Sequence, residues 1–216
     1  NKWRHLYNYC AWSTSDFGAL RPILRALGWV SVRSLFNQMR TLIMVALVTK
    51  LGFLYGATYP VLLLRSGFAY GACAVIGFFF TPFLCSRLWG YGLPVLALQL
   101  FTDFCKLGLV ISVLAVLNFV MAGKKGLQEQ VEDVLDESEE EATAVVTTTV
   151  YVLFLLQCLA RSVVNLYDGA AIAFDGVAGS GMSVVVSLVV FLVIAIPGHR
   201  KFEILYLAEL SFFVMR

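Results

Sequence analysis

From Leu42 onward the chain alternates long apolar runs with short polar breaks, the pattern of helices that cross a bilayer. A hydrocarbon core of about 30 Å takes about 20 mainly apolar helical residues. The runs are 42–64, interrupted by Lys50; 67–86; 93–122, which contains Asp103 and Lys106; 144–175; and 182–196. A last stretch, 202–215, is too short to span alone unless it continues the preceding helix past Pro197-Gly198. The expected fold is all-α, a polytopic membrane protein with about five or six membrane helices, the last two forming a long tilted hairpin.

Before residue 42 the apolar positions Ile23, Leu24, Leu27, Val30 and Leu35 recur every three to four residues among Arg21, Arg25, Arg33 and Arg40. Trp3, Tyr7, Tyr9, Trp12 and Trp29 add aromatic anchors. Residues 1–41 therefore read as an amphipathic helical region lying at the membrane interface. The arginines do not repeat every third residue, which excludes a voltage sensor. Residues 42–122 then supply three membrane helices and 144–216 the hairpin. Between them, 123–143 reads as an acidic, solvent-exposed loop, because the run 124–142 carries no apolar face wide enough to pack.

Composition supports lipid as the solvent: 60% of the 216 residues are hydrophobic and 14% charged, against about 25% charged in soluble domains. Five cysteines without a C-x-x-C spacing read as apolar packing residues, and His5 and His199 are the only histidines. No zinc site, disulfide framework or bis-histidine haem follows, and no cofactor or nucleic-acid partner is expected. The net charge of +2 is unevenly spread. Residues 1–40 are basic, whereas Glu129, Glu132, Asp133, Asp136, Glu137, Glu139, Glu140 and Glu141 cluster together. Three spans between them predict opposite sides, with the basic terminus on the cytoplasmic or matrix side. A start at Asn1 is consistent with removal of an upstream targeting segment.

Charges inside the apolar runs carry the candidate chemistry. Asp103 and Lys106, three apart, can pair on one helix face. Arg161 stands near the middle of 144–175, where insertion scales give a cost of at least about 2.5–3.5 kcal/mol. Helical spacing puts Asn165, Asp168 and Asp175 on its stripe, with an apolar face opposite. That stripe predicts a helix lining a cavity or a polar protein surface. If wholly helical, 144–175 would span about 48 Å and must tilt or break. On the return leg, His199 and Glu203 lie four apart and Glu209 faces another way, a set of protonatable groups suited to a proton path. Ser180, in a glycine-rich turn, has no later membrane histidine to serve as its base.

The segment RSVVNLYDG, Arg161-x3-Asn165-x3-Gly169, resembles subunit a of F-type ATP synthases, above all the mitochondrial form. In that family an arginine on a long tilted helix is followed by asparagine and glycine at these spacings. A glutamate follows on the returning helix, where FEILYLAELSFFVM places Glu203. The resemblance covers about residues 150–216. Ala170 and Leu210 stand where the family has an acid or histidine and a glutamine. It implies a non-catalytic, proton-translocating channel subunit in the mitochondrial inner membrane. Its partners would be a c-ring proteolipid, other subunits of the complex and lipids. Arg161 would face a c-ring carboxylate and favour its ionised form. Glu203, with His199 or Glu209, would relay protons, and Asn165 and Asp168 would line the route. The charges alone also admit a structural accessory subunit of a respiratory or photosynthetic complex, or a small transporter. The lack of internal repeats weighs against the last.

Overall fold

The computed structural model describes residues 17–135, 144–174 and 176–216. Six helices follow one another, with no strand among the described residues: α1 (Phe17–Leu51), α2 (Phe53–Gly90), α3 (Pro94–Leu135), α4 (Thr148–Ala173), α5 (Val177–Gly198) and α6 (Phe202–Val214). Helices α2 to α5 are long and apolar enough to cross a membrane. The chain is an all-α polytopic membrane protein.

Helix α4 is central, packing against α2, α3, α5 and α6. Ser112 and Ser162 hydroxyls meet at 2.5 Å, and Tyr151 donates to the Phe119 carbonyl at 3.0 Å, so α3 runs antiparallel to α4. The hydrophobic core of the bundle contains Phe154 of α4, Tyr206 of α6, Phe191 of α5 and Leu62 of α2.

Glycine sets the closest helix crossing. A Cβ on Gly77 would lie 2.1 Å from the Asn165 carbonyl oxygen, and one on Gly169 would lie 2.3 Å from that of Gly77. Backbone meets backbone there, as small residues permit between membrane helices. Gly77 belongs to a π-helical stretch of α2, Ile76–Cys85, whose wider turn contains Pro82 and its missing donor. Gly169 of the R-x3-N-x3-G motif thus has a packing role.

Several boundaries differ from those expected. Helix α1 runs through residue 41 without a break and stops at Gly52, whose φ of 136° suits glycine alone. The apolar run 42–64 is therefore divided between α1 and α2, and α2 continues through 65–66 into the run 67–86. Residues 1–41 are not a separate interfacial unit among the described residues, since Arg33 and Arg40 are buried in the bundle. Residues 2–12, with their aromatic anchors, lie outside the described residues.

The acidic segment also differs. Helix α3 continues past a kink at Gly123 (φ 69°) to Leu135. Leu127 and Val131, one turn apart, are buried in the core with Val145 and Val146, and Gln128 donates to the Val146 carbonyl at 3.1 Å. A two-residue apolar stripe suffices because the chain folds back against it. Glu129 and Asp133 stay exposed, and residues 136–143 lie outside the described residues.

Helix α6 does not extend α5. The turn His199–Lys201 reverses the chain, with Gly198 against Ile204. At 13 residues, about 20 Å, α6 re-enters the bundle between α1, α4 and α5.

Candidate functional site: two buried charge layers

Three heptad-spaced pairs of charged residues meet inside the bundle: Arg33 and Arg40 on α1, Arg161 and Asp168 on α4, and Glu209 and Arg216 on and just after α6. A seven-residue step is nearly two helical turns, about 10.5 Å, so each pair keeps one face. Helix α1 runs antiparallel to α4 and α6, which are parallel to each other, and the pairs therefore combine into two layers.

In the first layer Glu209 is fully enclosed. One carboxylate oxygen, Oε1, accepts from Arg40 Nη1 at 2.5 Å, Arg161 Nη2 at 2.6 Å and the Tyr59 hydroxyl at 2.8 Å. The other oxygen, Oε2, has no partner among the described residues. Arg161, with 5% of its side chain exposed, also donates to the Tyr70 hydroxyl at 3.3 Å. Phe213 packs against both guanidiniums, whose carbons stand 4.8 Å (Arg40) and 4.6 Å (Arg161) from its ring centroid. Such stacking favours the weakly hydrated guanidinium over an ammonium.

In the second layer Asp168 is the shared anion. Arg216 Nη2 reaches Oδ2 at 2.6 Å, Arg33 Nη1 stands 3.4 Å from Oδ1, and the Ser180 hydroxyl donates to Oδ1 at 3.0 Å. Arg216 Nη1 also donates to Asn37 at 3.1 Å.

Each layer holds two guanidiniums and one carboxylate, a formal +1. Helix α1 supplies arginine to both, while α4 and the α6 segment exchange roles: Arg161 with Glu209, then Asp168 with Arg216. A register slip of α6 by one residue would rotate its charge away from α1 and α4, leaving buried charges unpaired. Removing one partner of a buried ion pair costs about 3–5 kcal/mol, so the layers fix how the three helices align.

The structure brings Arg161 together with Glu209, and Asp168 into the neighbouring layer. It keeps the other sequence candidates apart. Glu203 stands at the end of the bundle, accepting from the Thr147 hydroxyl at 3.3 Å. Thr147 precedes Arg161 by fourteen residues, about 21 Å of helix. His199 is exposed in the α5–α6 turn, its Nδ1 2.7 Å from the Ile196 carbonyl oxygen. Asn165 is half-buried, with its backbone carbonyl against Gly77. Asp175 lies outside the described residues. Arg33, Arg40, Tyr59, Tyr70, Ser180 and Arg216 were not anticipated; the repeated spacing of seven was the signal available for the three arginines among them.

Apart from the four ion pairs of the two layers, one further pair among the described residues faces outward. Asp103 and Lys106 meet at 3.3 Å with 70% and 71% of their side chains exposed. They line a shallow groove on α3 of about 500 Å³ with Gln99 and Thr102.

No protein-family model matches the chain, and neither curated proteins nor solved structures yield a significant similarity.

Proposed function

We propose that the chain is a structural subunit of a larger membrane complex, its interior charges locking its own helices and its outward polar stripe meeting a neighbouring subunit. The observation that carries this reading is the exposed Asp103–Lys106 pair on an otherwise lipid-compatible helix. Charges facing hydrocarbon cost several kcal/mol and normally face protein or water. Gln99 and Thr102 extend the polar surface along the same face at spacings of three and four. The enclosure of Arg161 supports the reading too, since Glu209 already answers its charge from within the chain.

Replacing both Asp103 and Lys106 by leucine tests it. The expected result is loss of the chain from its native complex on mild-detergent gels, with the melting of the isolated chain unchanged. A complex that forms normally with the double variant would reject the proposal.

A second reading, the proton-translocating subunit implied by the resemblance to subunit a, is favoured by the order of acids on and beside α6. Glu203, Glu209 and Asp168, the last reached through Arg216, follow one another at steps of about 9 and 10.5 Å of helix, with Tyr206 between the first two. In this reading Arg161 would exchange Glu209 for a c-ring carboxylate, and the membrane would be the mitochondrial inner membrane. Proton-driven ATP synthesis in membranes carrying Arg161→Ala decides it: the reading requires coupling to be abolished, and normal rates refute it.

A further inference from the structure

At the end of the bundle where α1 stops, the α5–α6 turn and the first turns of α2 and α4 line an open cavity of about 630 Å³. Its polar lining comprises Arg200, Lys201, Glu203, Thr149 and Tyr55. Leu51, Phe202 and Ile204 form the apolar part of its wall. We propose that this cavity binds a phosphate-bearing anion, the headgroup of an anionic phospholipid or a free phosphate.

Charge supports this assignment. Arg200 and Lys201 contribute two positive charges and Glu203, which also lines the cavity, one negative charge. The net +1 matches a singly charged phosphodiester. Glu203 also accepts from the Thr147 hydroxyl. Arg200 and Lys201 are exposed and have no ion-pair partner among the described residues. A phosphate can therefore approach both without displacing a buried contact.

The backbone contributes in the same sense. The N-cap residues of α2 and α6, Gly52 and Lys201, provide no side-chain cap. On α6 the Ile204 and Leu205 amides donate to the Lys201 carbonyl, and the Phe202 and Glu203 amides ahead of them stand at the positive end of the helix. The Thr149 and Tyr55 hydroxyls add two neutral donors. A polar floor beside an apolar wall, at the end of four membrane-length helices, suits a headgroup with its acyl chains lying outside.

Native mass spectrometry of the purified chain tests the proposal with three probes: dioleoyl phosphatidylglycerol, dioleoyl phosphatidylcholine and inorganic phosphate. The expected result is at least about tenfold tighter retention of phosphatidylglycerol than of phosphatidylcholine. The Arg200→Gln/Lys201→Gln variant should lose that preference while melting like the wild type without lipid. Glu203→Gln should tighten phosphatidylglycerol binding several-fold. Millimolar phosphate that displaces phosphatidylglycerol from the wild type identifies the free anion as the ligand; failure to displace it identifies the lipid. Equal retention of the two lipids, or unchanged preference in the double variant, would overturn the proposal. The test is independent of partner subunits, so it can fail without touching the proposed role in a complex.

Discussion

Replacing Glu209 by glutamine keeps the side-chain shape and removes the only anion of its layer. Arg40 and Arg161 then face each other with no anion between them. Their guanidinium carbons lie 4.8 and 4.6 Å from the Phe213 centroid, hence at most about 9.4 Å apart. At an effective dielectric near 20, two unit charges at that distance repel by about 1.8 kcal/mol or more. Three hydrogen bonds to a charged acceptor are weakened as well, each worth about 1.5–3 kcal/mol. Together these are consistent with the about 3–5 kcal/mol that loss of one partner from a buried pair costs. For a chain of this size, about 2–4 °C of melting temperature per kcal/mol gives a fall of about 6–20 °C. Differential scanning fluorimetry in a mild detergent measures it. Adding Arg161→Gln to Glu209→Gln returns the layer to +1 and should recover part of the loss, a favourable coupling of about 1–3 kcal/mol. A single variant melting within 2 °C of wild type would refute the reasoning.

Three further outcomes are expected. Gly77→Val and Gly169→Val should each destabilise the bundle by more than the usual 1–3 kcal/mol of overpacking, because backbone stands opposite; Gly71→Ala, with open space around it, should be neutral or stabilising. Comparing the folded fractions by size-exclusion chromatography checks both. Leu127→Asp should release the segment beyond Gly123 and speed tryptic cleavage at Lys124 and Lys125 at least about tenfold, while the melting of the membrane bundle stays within a few degrees. Ser180→Ala removes one donor to Asp168 and should cost about 1.5–3 kcal/mol, given that the acceptor is charged, readable by the same melting assay.

The membrane helices were legible because hydropathy is a local property of the chain: α3, α4 and α5 each lie over one apolar run, whereas α2 joins part of one run to the next. Their ends were less so. Gly52 sits between apolar neighbours, and its break depends on a backbone angle; the gap between the runs 42–64 and 67–86 suggested a break that the continuous helix α2 does not contain. Arg161 was recognisable as exceptional, since a lone cation in an apolar run demands a partner. Which partner it has was not. Glu203 matched a family spacing, yet the α5–α6 turn holds it at the bundle's end, and Glu209 lies one and two-thirds turns further along α6. Arg33 and Arg40 read as interfacial because basic residues near aromatic ones usually are, and only tertiary packing draws them inside. The spacing of seven was visible in all three segments, but its meaning requires the antiparallel run of α1 beside α4 and α6. In the acidic segment, charge density concealed Leu127 and Val131, whose burial depends on Val145 and Val146, more than ten residues further along the chain.

Exchanging the charges within one layer tests the two-layer arrangement most directly. Arg161→Glu with Glu209→Arg would give the first layer the pattern of the second, an acid on α4 and an arginine on the α6 segment. Each single change should prevent folding or lower the melting temperature by 6 °C or more. The exchanged pair should instead melt much closer to wild type than either single variant and remain monodisperse. If the pair melts no higher than the worse single variant, or if the singles are themselves neutral, the layers do not hold these helices in register.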